Sequence, residues 1–150
     1  MIKDIIGTIW RNIPRYVRRK IIRTTQETFT VSVAGVITNE NNEVLLLDHV
    51  LRVASGWGIP GGFIARGEQP EQALHREIFE ETGLELKNLK LIRVRTFNRH
   101  IEVIFRAKGI GTAEVKSREI KKAVWFKPDE LPEKLNKSQK SIIEKLLKHK

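Results

Sequence analysis

Residues 61–84 restrict the folds open to this chain more than any other stretch. They read Gly61-Gly62-Phe63-Ile64-Ala65-Arg66-Gly67-Glu68-Gln69-Pro70-Glu71-Gln72-Ala73-Leu74-His75-Arg76-Glu77-Ile78-Phe79-Glu80-Glu81-Thr82-Gly83-Leu84. A glycine-rich turn passes through Glu68 and Pro70 into a helix. Pro70 suits a first helical turn, where its missing N–H is not needed, and Gly83 suits the position just past the end. Glu77, Glu80 and Glu81 stand at i, i+3 and i+4. At about 100° per residue they share one helical face. Three carboxylates so placed repel one another, which costs stability unless a cation sits among them. Oxygen-only ligands favour a hard divalent ion, Mg²⁺ or Mn²⁺, over zinc. Leu74 and Ile78 occupy an adjacent arc and would anchor the helix to a core. The residues alone leave a second reading open: a solvated acidic face, the usual meaning of a charge run.

The fixed positions then resemble a family pattern. Gly62, Glu68, Arg76, Glu77, Ile78, Glu80, Glu81, Gly83 and Leu84 fill every specified position of the Nudix box, G-x5-E-x7-R-E-U-x-E-E-x-G-U with U aliphatic. So many matches at fixed spacing rarely coincide by chance. The chain is therefore identified as a member of the Nudix hydrolase family, with a flanking pattern that fits from near Phe29 to the last helix. The resemblance implies an α/β fold: a Nudix-type α/β/α sandwich with a mixed curved sheet over residues 26–150. Residues 1–25 then form an N-terminal amphipathic helical extension.

With 150 residues the chain can build one domain with a substantial core. The absence of cysteine excludes disulfides, thiolate metal sites and a cysteine nucleophile, and agrees with a cytoplasmic position. No apolar run approaches the roughly 20 residues of a membrane span. Asp4 and the lack of a sustained apolar stretch argue against a cleaved secretion signal. The net charge of +10 is unevenly placed. Residues 1–25 hold seven Lys/Arg against one acid, and residues 132–150 hold six Lys against two Glu. Between them fifteen basic and fifteen acidic side chains balance, so the basicity belongs to the two ends.

Ile2, Ile5, Ile6, Ile9 and Ile13, then Val17 and Ile21, recur at helical spacing, and Pro14 kinks the run or starts a second helix. Arg11, Arg15, Arg18, Arg19, Lys20 and Arg23 decorate its second half. Three readings compete for this segment. It packs its Ile/Trp face on the domain or on a second subunit of a homodimer. It lies on an anionic lipid surface, peripheral to a membrane. Or it is an arm that binds RNA or another nucleic acid.

Further along, alternation over 28–37 predicts a strand, Asn39-Glu40-Asn41-Asn42 a turn, and 43–48 a returning strand. Trp57 is expected to pack beneath the turn that leads into the box. Residues 86–97 and 101–108 read as strands, 115–122 as a charged loop or strand end, and 123–126 as a short buried strand. Ser138 can cap a final helix with Ile142, Ile143, Leu146 and Leu147 on its apolar side.

The family hydrolyses a nucleoside diphosphate linked to another moiety, by attack of water at phosphorus. That chemistry demands charge neutralisation more than covalent help. The resemblance implies Glu77, Glu80 and Glu81 as metal-holding, catalytic carboxylates, with Glu68 ligating a further ion or orienting the cluster. It implies a backbone carbonyl ligand at Gly61 and a carboxylate-positioning role for Arg76. Glu119, ahead of the last strand, is the favoured general base, with Glu114 and His100 behind it. His100 is read first as a polar hairpin residue and His75 as facing solvent, and His49 carries no assignment. Phe97, Arg99 and Arg106 are candidates to bind base or phosphate. Neither proline nor tyrosine occurs between Leu84 and Ala113, and no S-Q-P-W-P-F run is present. These departures argue against the family's ADP-ribose, dinucleoside polyphosphate and NADH subgroups. Nucleoside diphosphate sugars and (d)NTPs remain as substrates. RNA 5′-end pyrophosphohydrolysis is the alternative, and a non-catalytic nucleotide-sensing module is the third reading.

Overall fold

A computed structural model describes residues 2–51 and 55–147. Lys148 and Lys150, counted above in the basic end, lie outside the described residues. The chain divides into two compact units, Met1–Thr30 and Val31–Lys150.

The first unit is a pair of helices, α1 (Ile2–Asn12) and α2 (Arg15–Thr25). Pro14 separates them because its ring disfavours helical backbone at the preceding residue. It then serves as the cap of α2, its carbonyl accepting from Val17 and Arg18 N–H at 3.0 and 3.1 Å. Pro14 therefore starts a second helix. No residue of either helix is buried.

The second unit is built on a mixed seven-stranded sheet. Its strands are β1 (Thr30–Thr38), β2 (Val44–His49), β3 (Trp57–Gly58), β4 (Gly61–Phe63), β5 (Glu85–Phe97), β6 (His100–Ile110) and β7 (Ile120–Phe126). The main order is β3-β2-β1-β6-β5, with β4 added to β1 and β7 added to β2. Two helices, α3 (Pro70–Thr82) and α4 (Lys137–Leu147), complete it.

Side chains alternate across a strand, and here the two faces serve two separate cores. Val33 and Ile37 of β1 and Leu45 and Leu47 of β2 join Leu74 and Ile78 of α3 with Phe105. Their neighbours Ala34, Val36, Val44 and Leu46 join Ile142 and Ile143 of α4 with Leu131 and Leu135. Burial on both faces explains why Val44-Leu45-Leu46-Leu47 is an unbroken apolar run, each side chain fully buried. The α/β/α sandwich follows from that double burial. Trp57 belongs to the α4-side core, meeting Phe126 edge-on at 5.1 Å.

Two boundaries differ from expectation. The last strand begins at Ile120, not Ala123, because Lys121 and Lys122 occupy exposed positions of a paired strand. The last helix begins ahead of Ser138. The Asn136 side chain caps it by accepting from Ser138 N–H at 2.8 Å, which leaves the Ser138 hydroxyl to accept from Arg95.

Candidate active site

Helix α3 is fixed at both ends before any chemistry is considered. At its start Gln69 N–H donates to the Gln72 side chain at 3.1 Å, with Pro70 in the first turn. At its end Gly83 adopts φ 73°, a left-handed turn, and its N–H reaches Phe79 carbonyl at 2.8 Å. Ala73, Leu74, Ile78 and Thr82 face the core. The acids lie along the border of that face, so their exposure is graded. Glu81 is buried at 8%, the Glu77 side chain is 18% exposed, and that of Glu80 is 58% exposed.

Arg76 is the hub that makes this crowding tolerable. Its Nε and Nη2 donate to the two oxygens of Glu68 at 2.8 and 2.9 Å, a bidentate pair. Its Nη1 donates to Glu77 at 2.8 Å and, more weakly, to Glu80 at 3.4 Å. Nη2 also reaches the Phe63 carbonyl at 3.2 Å, which ties α3 to β4. Glu68 further accepts from Ala65 N–H at 2.9 Å. The Arg76 hydrogen bonds, seconded by that backbone N–H, hold the Glu68 carboxyl down at about 2 against an ordinary 4.5. Glu68 and then Glu77 hold the Arg76 guanidinium above its ordinary value.

The space above Gly62 is taken by Glu77. A Cβ there would come within 2.3 Å of the Glu77 carboxylate, so the missing side chain is the seat of that acid. Gly61 and Gly62 pair with Ala34 and Val33 of β1, and a cavity of about 180 Å³ opens beside them. Phe63, His100, Ser32, Glu102 and Gln139 also line it.

The hairpin between β5 and β6 brings His100 to this cavity, with Phe97 packed against it. The His100 ring lies 4.9 Å from that of Phe97 and 5.9 Å from that of Phe63, and its Nε2 is 2.8 Å from Ser32 Oγ. Arg99 sits in the tight turn between those strands. Arg106 is elsewhere: it lines a separate cavity of about 250 Å³ with Thr38, Asn42 and Leu146. The two remaining acids diverge as well. Glu119 is tied by its carbonyl to Val50 N–H at 2.8 Å, beyond the end of β2. Glu114 N–H donates to Thr82 carbonyl at 3.0 Å, so its segment lies against the end of the acid-bearing helix. Phe63, Ser32, Glu102 and Gln139 were not singled out from the sequence. An aromatic directly after Gly61-Gly62 was a readable signal for Phe63; the others depend on long-range pairing.

Among the described residues, no three acidic or histidine side chains converge closely enough to hold a metal ion as they stand. Arg76 occupies the space between Glu68, Glu77 and Glu80. The donor chemistry nonetheless fits a hard divalent cation: carboxylate oxygens on one helix, with no sulfur or imidazole among them. Glu80 is the most exposed of the three, and its 3.4 Å contact is the longest that Arg76 makes.

The helix–sheet–helix sandwich thus sets a row of carboxylates beside a glycine turn and a cavity. The NUDIX domain family model matches residues 28–146. A MutT-like protein of Streptomyces ambofaciens is 35% identical over 109 residues, which cover 71% of this chain and 69% of that protein. The NAD-capped RNA hydrolase NudC of Mannheimia succiniciproducens is 32% identical over 126 residues, covering 75% of this chain but only 46% of NudC. Among solved structures, the MutT NUDIX hydrolase of Burkholderia pseudomallei is similar at a TM-score of 0.69 and 26% identity, over 79% of this chain and 98% of that one. The chain belongs to the Nudix hydrolase family, and it is an enzyme acting on phosphorus-containing acid anhydrides.

Proposed function

We propose that this enzyme is a Mg²⁺- or Mn²⁺-dependent pyrophosphohydrolase of nucleotides, taking a nucleoside diphosphate joined to another group, of the NDP-sugar or (d)NTP type. The observation that carries the reading is the graded acid face of α3, latched by Arg76 and set beside the Gly61-Gly62 cavity. Glu77, Glu80 and Glu81 hold the ion, with Glu68 and the Gly61 carbonyl as further donors. When bound, the ion supplies charge neutralisation at the diphosphate and activates the attacking water. Arg76 keeps Glu77 and Glu68 in fixed rotamers, and the buried flank of Glu81 keeps its carboxylate in a low-dielectric setting where charge counts for more. Phe63, Phe97 and His100 offer ring faces and edges to a base at the cavity rim, with Arg99 next to them for a phosphate. Glu114 and Glu119 are alternative general bases. Glu119 matches the family's pattern, whereas Glu114 has its backbone bound to the end of α3.

The test is a substrate panel of NDP-sugars, (d)NTPs, NADH and 5′-capped RNA, run with Mg²⁺ and with chelator. Release of phosphate or mononucleotide from one of the first two classes, abolished by chelator, is the expected result. No release from any member in Mg²⁺ or Mn²⁺ sinks the reading. RNA 5′-end hydrolysis is the second reading, favoured by the likeness to NudC and by the basic ends of the chain. Turnover confined to the RNA member would establish it. A nucleotide-sensing module without turnover would bind panel members yet release nothing in a single-turnover experiment.

A further inference from the structure

Helices α1 and α2 hold two surfaces that the hydrolase reaction does not use. On α1, Ile2, Ile5, Ile6 and Ile9 fall within an arc of about 100°, with Trp10 at its edge. They are 73, 54, 61, 57 and 38% exposed. Lys3, Asp4, Thr8, Arg11 and Asn12 fill the opposite arc. On α2, Arg15, Tyr16, Arg19, Lys20 and Arg23 share one side, and the helix contains no acid. Each helix is 11 residues long, a length at which helices in water are marginal without an external surface to lie on.

Five large apolar side chains in a row need a covering that is itself apolar, and the cations beside them need one that carries negative charge. A second copy of this unit offers the first but opposes the second, because segment 2–25 holds seven basic side chains against one acid. A nucleic acid offers the second but leaves the isoleucines in water, since phosphate contacts make no use of an aliphatic stripe. An anionic bilayer offers both: acyl chains for the isoleucines, headgroup phosphates and carboxylates for the arginines, and the boundary between them for Trp10 and Tyr16. We propose that α1 and α2 form a peripheral anchor that lays the isoleucine face of α1 into the interface of an anionic lipid membrane and sets the basic side of α2 on its headgroups.

The experiment uses the full chain and co-sedimentation with phosphatidylcholine vesicles, with and without about a quarter phosphatidylserine. The expected result is binding to the anionic vesicles, weakened by salt, and little to the neutral ones. Ile5→Gln/Ile9→Gln keeps helix propensity while removing half of the apolar stripe. It should lower the apparent affinity by on the order of tenfold or more without changing turnover on a small substrate. Arg19→Glu/Arg23→Glu should erase the preference for anionic vesicles. No sedimentation with anionic vesicles at low salt overturns the proposal. So does a concentration-dependent dimer in sedimentation velocity that the isoleucine variant dissolves, which would make a second copy the partner. RNA binding that needs the arginines but not the isoleucines, with no vesicle binding, would likewise overturn it.

Discussion

Helix α3 and the pair α1–α2 are made of similar materials, aliphatic side chains on one side and charge mostly of one sign on another, yet their charges are handled in opposite ways. The aliphatic face of α3 is buried against the sheet and its acids share one guanidinium, with Glu68, Glu77 and Glu80 all within 3.4 Å of Arg76. In α1–α2 no residue is buried, and among the described residues no ion pair joins a basic side chain of α2 to an acid. Charge that is answered within the fold marks a site organised for chemistry on a small ligand. Charge left unanswered, beside apolar surface left uncovered, marks a surface whose partner lies outside the chain.

The sharpest test of the first half is Glu81→Gln, which keeps the size of a buried side chain and removes its charge. Turnover of the preferred panel substrate should fall by roughly 10²- to 10³-fold, the scale of several kcal/mol of lost charge stabilisation. The melting temperature without metal should hold or rise, because a carboxylate is no longer confined beside Glu77. Unchanged turnover at saturating Mg²⁺ would show that the acid face is ordinary surface.

Arg76→Ala attacks the latch itself. Loss of the bidentate pair leaves three carboxylates crowded without a cation, at a cost of about 1–3 kcal/mol. The lower half of that range is expected, because the Arg76 side chain is a third exposed to solvent screening. Turnover should drop by roughly 10- to 100-fold, as for other groups that orient metal ligands. The diagnostic readout is the melting temperature with and without Mg²⁺. The ion should stabilise the variant more than the parent enzyme, since it replaces the missing guanidinium. Equal Mg²⁺ shifts in the two proteins would mean that arginine and metal do not share the same carboxylates.

How far such sites could be read in advance depended on how far apart in the chain the partners lie. Arg76, Glu77 and Glu80 lie within five residues of one another on α3, and Glu68 is only eight residues from Arg76 in the turn that feeds the helix, so the group is close in sequence. The apolar run Val44-Leu45-Leu46-Leu47 likewise announces a strand buried on both faces. The cavity beside Gly61 is different in kind. Ser32 meets His100 across 68 residues, and Gln139 accepts from Ile59 N–H across 80. Those pairs arise from strand order and from the docking of α4, which local spacing does not encode. The same holds for Arg106 and Phe97, similar in promise as sequence, of which Arg106 lines a separate cavity while Phe97 packs on His100 once β5 and β6 are paired. At the last helix the error was a matter of competition: Ser138 and Asn136 are both good caps, and Arg95 takes the serine hydroxyl.

Acid titration sharpens the comparison with less effect. The folded Glu68 carboxyl is held at about 2, below its ordinary 4.5, so its stabilising contribution is fully present above pH 4.5 and lost as pH falls through about 2. In metal-free buffer the stability difference between the parent protein and Glu68→Gln should be flat above pH 4.5. It should shrink toward pH 2, as protonation removes the charge that the glutamine already lacks. Urea denaturation at several pH values measures it. A difference that stays constant down to pH 2 would show that the Arg76 latch does not hold Glu68 ionised.

The smallest effect belongs to the other half of the molecule. Arg19→Glu/Arg23→Glu reverses two charges on α2, a harsher change in chemistry than Arg76→Ala. Both arginines are exposed and, among the described residues, neither is bound to an acid, so stability should change by no more than about 0.5 kcal/mol. Turnover on a soluble nucleotide should not change. If the double reversal instead destabilises the enzyme as much as Arg76→Ala does, then α2 has its electrostatic partner within the fold, and the contrast between an answered and an unanswered charge fails.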